Sequence, residues 1–82
     1  MKEHVLKTWP EYYEKVRAKE KTFEVRANDR NFSEGDVLIL REWNPVEVKY
    51  TGRSLQFKIG YILKGGQFGI QDGYVVLSLI KK

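Results

Sequence analysis

The segment Lys19-Glu20-Lys21-Thr22-Phe23-Glu24-Val25-Arg26 gathers ammonium, carboxylate, hydroxyl and guanidinium groups into eight consecutive residues. From Thr22 to Asn28, Phe23 and Val25 alternate with Thr22, Glu24 and Arg26, a period of two that marks a strand with one buried and one polar face. Thr22, Glu24 and Arg26 are therefore expected on the polar face, with Lys21 at the strand's entry. Arginine offers a fork of donors and a neighbouring carboxylate fixes its orientation, so such a cluster suits anions or planar polar groups. If it catalyses, Lys21 is the base or electrostatic stabiliser and Glu24 the acid–base partner. The plainer alternative is a solvated strand face with a surface ion pair, worth about 0–1 kcal/mol.

Other residues are candidates at one remove. Lys7 precedes a helix and can line the same opening, or be a solvated lysine at a strand end. Arg30, with Asn28 and Asp29, can add a phosphate contact, or belong to an ordinary turn held by Asx hydrogen bonds. Trp9 can stack on a base, a contact worth about 1–3 kcal/mol, but a tryptophan packed under the helix is the favoured reading. Trp43, Tyr50 and Phe68 pose the same choice, and Phe68, on a glycine-flanked loop, is the best placed of them to touch a ligand. Gly65-Gly66-x-x-Gly69 lacks the Gly-Lys-Ser/Thr ending and following helix of a phosphate loop. His4, the only histidine, reads as a surface residue.

The elements that position these groups are short. His4 to Thr8 reads as a strand, with Val5 and Lys7 on one face and Leu6 on the other. Thr8 or Trp9 caps a helix with Pro10 in its first turn, Glu11 and Glu14 near its positive pole, and Lys15, Arg17 and Lys19 near its negative one. Trp9, Tyr12, Tyr13 and Val16 fall at i, i+3, i+4 and i+7, a stripe expected to face the core. Asn28 to Asn31 and Ser33 to Asp36 form turns. Val37 to Trp43 is apolar on both faces at first, as a central strand is. Asn44 to Gly52 reads as a hairpin connection, Leu55 to Leu63 alternates as the longest strand signal, and Tyr74 to Ile80 is the last strand. Five strands and one helix imply a β-rich α+β fold, a small sheet curling into a barrel with the helix over one opening.

Eighty-two residues support one domain, 1–82, since a second core would have almost nothing to bury. There is no cysteine, so neither disulfides nor thiolate metal sites hold it together, and a lone histidine leaves zinc almost without ligands. No metal or cofactor is expected. The N-terminus has no apolar stretch of the signal-peptide kind, and the longest apolar run, Val37 to Leu40, is far short of a membrane span. A cytoplasmic monomer without membrane contacts is the expectation. Fifteen Lys and Arg against eleven Asp and Glu give a net charge of +4. The excess is dispersed and fits either a nucleic-acid partner or a well-solvated surface.

Lys21-Thr-Phe-Glu24-Val-Arg26, after a helix and before Gly35-Asp36 and an apolar strand, resembles the ASCH pattern Gly-x-Lys-x-x-Glu-x-Arg. ASCH domains are PUA-like β-barrels related to the activating signal cointegrator. The order Lys7-Thr8-Trp9-Pro10, Lys21 to Arg26, Asn28-Asp29-Arg30, Gly35-Asp36, Arg41-Glu42-Trp43 and Tyr50-Thr51-Gly52-Arg53 more closely resembles the bacterial and phage family DUF3850. The resemblance covers nearly the whole chain and implies a PUA-like barrel of five to six strands. It also implies RNA binding in a cleft lined by Lys21, Glu24 and Arg26. Lys19 stands where the pattern has glycine, so the helix must end differently or Lys19 must take the left-handed conformation. Another branch of that superfamily is an amidohydrolase of N4-acetylcytidine using a lysine, a threonine nucleophile and a distant glutamate. Its lysine corresponds to Lys21, but its threonine falls at Glu24; Thr22 lies two residues earlier, and Asp72 is the only acid after Glu47.

The leading expectation is a nucleic-acid-binding module, with RNA or a nucleotide-like ligand as partner, held by Lys7, Lys21, Thr22, Glu24, Arg26, Arg30 and Phe68. The alternatives are an amidohydrolase-like enzyme acting on an acylated nucleoside through Lys21 and Glu24, and a protein-interaction module using an apolar patch around Trp43 and Phe68.

Overall fold

The computed structural model describes residues 1–82. In chain order its elements are β1 (Glu3–Thr8), α1 (Pro10–Arg17), β2 (Phe23–Ala27), β3 (Val37–Asn44), β4 (Lys49–Lys64) and β5 (Tyr74–Lys81). The five strands form one sheet in the order β1-β3-β4-β5-β2, in which only β1 and β3 pair in parallel. β4 makes the curl. It is 16 residues long and pairs with β3 through its first half and with β5 through its second. Within the β4–β5 ladder one extra residue enters at Gly60-Tyr61, a bulge that bends the strand. The Ser78 hydroxyl accepts the Tyr61 N–H there. A Cβ on Gly60 would come within 2.5 Å of the Ile80 side chain, so any larger residue there would have to displace it.

The sheet is a half-barrel whose free edges, β1 and β2, approach each other without a ladder between them. Two side chains bridge that seam. Arg26 Nη2 donates to the Lys7 carbonyl at 2.8 Å, and Arg30 Nη1 donates to the Val5 carbonyl at 3.0 Å. Alternate carbonyls of a strand point to the same edge, so both arginines satisfy acceptors that a neighbouring strand would otherwise have taken.

The core is Leu6 from β1, Val16 from α1, Phe32, and Leu38, Leu40, Ile59, Val75 and Leu77 from the other strands. α1 packs on β3. Pro10 sits at its start, where a missing N–H is harmless, and Lys15 and Arg17 occupy the last turn. It ends in a Schellman arrangement: the Glu20 N–H donates to the Lys15 carbonyl and the Lys19 N–H to that of Val16. Lys19 therefore adopts the left-handed conformation, with φ 65°. No helix is long and apolar enough to cross a membrane.

Several expectations are corrected. β2 has the anticipated alternation with its faces reversed: Glu24 is 4% exposed, whereas Phe23 and Val25 are 43% and 50% exposed. The register with β5 requires this, because Glu24 lies opposite Leu77 and Arg26 opposite Val75, two core residues, and opposed residues share a face. The β3–β4 turn is Pro45 to Val48, shorter than expected, and Gly52 lies inside β4, at φ 96°, beside a register shift around Glu42. His4 is buried, its Nε2 2.8 Å from Asp36 Oδ2 and its ring tilted against Phe32.

Candidate functional site

The reversal of β2 places a carboxylate inside the barrel mouth, where it is tolerable only if fully partnered. Glu24 Oε1 accepts from Lys21 Nζ at 2.6 Å and Oε2 from Arg26 Nε at 3.0 Å. Lys21 Nζ also donates to the Phe23 carbonyl at 2.7 Å. Each cation thus bonds both Glu24 and a backbone carbonyl, Lys21 that of Phe23 at the start of β2 and Arg26 that of Lys7 across the seam on β1. The cluster is locked in orientation, carries two positive charges for one negative, and faces open space.

That space is a cleft of about 470 Å³ between β2, the end of β1 and the start of α1. Lys21, Glu24 and Arg26 line it from β2 and the turn before it. Trp9 and Tyr12 line it from the start of α1, Trp9 being 54% exposed and Tyr12 similarly open. Thr8, the last inward residue of β1, belongs to the same wall. It is 3% exposed, and its Oγ1 has no hydrogen-bond partner. A buried hydroxyl left unpaired costs about 1–3 kcal/mol, and this one belongs to a residue that lines the cleft. Among the chain's His, Cys, Asp and Glu side chains, no three converge as a metal would need.

The sequence candidates divide. Lys7, Lys21, Glu24 and Arg26 all line the cleft; the Lys7 ammonium also sits 4.1 Å from the centre of the Trp43 ring. Thr22 lies outside β2, exposed, and faces a second groove instead. Arg30 is occupied at the seam with the Val5 carbonyl. Phe68 is exposed on the β4–β5 loop, away from the cleft, with φ 53°. Trp43 packs edge-on to Tyr50 beneath Lys7. Sequence reasoning missed Thr8 and Tyr12 and placed Trp9 in the core. The signal for Trp9 was its place before Pro10: as the N-cap it lies outside the helix, so helical spacing does not apply to it.

A family model described as "Domain of unknown function (DUF3850)" matches residues 3–79. The chain belongs to the DUF3850 family. A protein of Escherichia phage P2 described as "Uncharacterized 12.9 kDa protein in GpA 3'region" is 40% identical to it over 56 residues, 68% of this chain. The chain spans about half the length of that relative. The matched region of this DUF3850 domain, 3–79, takes in every residue of the cleft.

A second polar knot lies outside the cleft, at the β3–β4 register shift. Glu42, as buried as Glu24, accepts from Arg53 Nε at 2.9 Å, Arg53 Nη2 at 2.9 Å and the Thr51 hydroxyl at 2.7 Å. Arg53 also bonds Glu14 of α1 and stacks over Tyr13. The Arg53 bonds hold the Glu42 carboxyl below its ordinary value despite burial, and they raise Arg53 further into permanent charge. This knot ties α1 to the sheet.

Proposed function

We propose that this DUF3850 domain is a binding module for single-stranded RNA that seats one unstacked base in the cleft. The observation that carries the reading is a fixed, net-cationic Lys21–Glu24–Arg26 cluster that shares one open cleft with half-exposed Trp9 and Tyr12. A base has a π-face for an aromatic wall and a polar edge for a carboxylate and its cations, and single-strand recognition combines the two. The resemblance of Lys21-x-x-Glu24-x-Arg26 to the ASCH pattern, and with it a PUA-like lineage, supports the same partner. A cytoplasmic setting is compatible with a chain that has no cysteine. Short labelled RNAs titrated at two salt concentrations test it. Binding should weaken with salt, log K falling by roughly 0.7 per neutralised phosphate, and should collapse in Lys21→Ala. Absent or salt-indifferent binding overturns the proposal.

One observation favours a second reading, an amidohydrolase acting on an acylated nucleoside. Thr8, whose buried hydroxyl has no partner, is among the residues that line the cleft with Lys21 and Glu24, so a candidate nucleophile, a cation and an acid–base partner come from residues around one cavity. Turnover of an acylated-nucleoside panel that disappears in Thr8→Val supports this reading; no turnover by the wild type removes it.

A further inference from the structure

The second groove, of about 420 Å³, opens where the C-terminal end of α1 meets β4 and β5. Its floor is apolar: Leu55, Phe57 and Leu79, all half-buried, lie beside Val16. Its rim carries Arg17, Lys19, Lys21 and Lys81, and no carboxylate lines it. In a chain with eleven acids against fifteen cations, an acid-free stretch with four cations is a local concentration of positive potential. Arg17 is engaged with Glu14 and Lys21 with Glu24. Lys19 and Lys81 make no side-chain hydrogen bond or ion pair of their own.

Lys19 is the telling residue. It occupies the left-handed position that closes the helix, at φ 65°, a conformation that glycine adopts without strain and lysine does not. An ammonium at the helix's negative pole gains a modest dipole interaction, and Lys19 also lines the groove. Lys21 is the one residue common to the groove and the cleft, so the two adjoin at it.

We infer that the groove is the track of the sugar–phosphate backbone, carrying a single-stranded RNA on from the base held in the cleft, with Lys19 and Lys81 on the phosphates. The inference rests on the RNA reading and extends the footprint from one nucleotide to several. The apolar floor takes sugar or base faces, and the cations take the charge. Affinity should therefore rise with strand length, and the rise should depend on two residues that do not line the cleft.

The experiment compares the wild type with Lys19→Gly and with the Lys19→Gly/Lys81→Ala pair, using a nucleoside monophosphate and labelled single-stranded RNAs of two to ten nucleotides. The wild type should bind the longer strands at least about tenfold more tightly than the shortest, and the double variant should lose that increment. Its plot of log K against log salt should flatten by roughly 0.7 for each phosphate no longer neutralised. Lys19→Gly should at the same time raise Tm by about 4–8 °C, because it relieves the left-handed lysine; greater stability with weaker binding is a pattern that a structural role cannot produce. Strands that bind wild type and double variant alike, with one salt slope, overturn the groove and leave the cleft standing. No binding by the wild type at any length overturns the cleft reading as well.

Discussion

Glu24 and Glu42 are both buried carboxylates, each 4% exposed, and each holds an arginine. What surrounds them differs. Glu42 takes donors from Arg53 and Thr51, and Arg53 goes on to Glu14 and the face of Tyr13, so the knot is closed and its product is the attachment of α1. Glu24 is held by two cations that border a cleft, which is also lined by two open aromatic rings and by Thr8, whose hydroxyl has no partner. Burying a charge is therefore no mark of a site in itself. The mark is unspent hydrogen-bonding capacity next to empty space, which the Glu24 region has and the Glu42 knot does not.

The sharpest way to break the comparison is Glu42→Ala. It strips Thr51 of its acceptor and leaves Arg53 only Glu14, and should cost about 2–3 kcal/mol, lowering Tm by roughly 10–20 °C, while RNA affinity per folded molecule stays put. Urea unfolding and a binding titration on the same sample check both halves. A variant as stable as the wild type would show that Glu42 holds nothing together.

Trp9→Ala should do the reverse. Losing one stacking wall should weaken RNA by about 1–3 kcal/mol, roughly 5- to 150-fold, with little change in Tm because the ring is half exposed. A large fall in Tm with unaltered affinity would return Trp9 to the role of a packing residue.

Thr8→Val sharpens the contrast on a smaller scale. Replacing an orphan hydroxyl by a methyl of similar shape should stabilise the fold by about 1 kcal/mol and weaken the ligand a few-fold. Thermal melts decide the first part; a destabilised variant would mean that Thr8 already has its partner.

Acid gives the gentlest probe. Glu42 lies below its ordinary value near 4.5, chiefly through Arg53, and Asp36 lies below its ordinary value near 3.8. For Asp36 burial pushes upward, but the bonds from His4 and from the Lys2 and Ser33 amides outweigh it. A carboxyl depressed in the folded state contributes stability that is complete above its unfolded pKa and is lost as pH falls through the folded one. Stability should therefore hold down to about pH 4.5 and decline below it, and Glu42→Gln should flatten that decline. An unaltered acid limb in the variant would contradict the sign of the Glu42 shift.

Much of the fold could be read from local pattern. The strands and the Pro10 helix start follow from spacing and from the geometry of single residues, whereas the left-handed Lys19 was one of two outcomes that the resemblance to the ASCH pattern left open. The facing of β2 did not, because it is fixed by register with β5, where Val75, Val76 and Leu77 are apolar at both parities and do not reveal which side is inside. His4 and Asp36 are 32 residues apart and Glu42 and Arg53 are 11 apart, pairings that only the β1–β3 ladder and the β3–β4 register shift create. Within the site, the cluster of Lys21, Glu24 and Arg26 was legible from the i, i+2 alternation. Thr22 was misplaced because the strand begins one residue after it. Tyr12 was misplaced because so short a helix buries only Tyr13 and Val16.

A proton–nitrogen correlation spectrum recorded while short single-stranded RNA is titrated in tests the central claim most directly, since it reports both regions in one sample. The Nε–H signal of Arg26 and the indole signal of Trp9 should shift progressively to saturation, while the Nε–H signal of Arg53 stays where it is. Shifts at Arg53 with Arg26 and Trp9 unmoved, or no shift anywhere at high RNA concentration, would contradict the account.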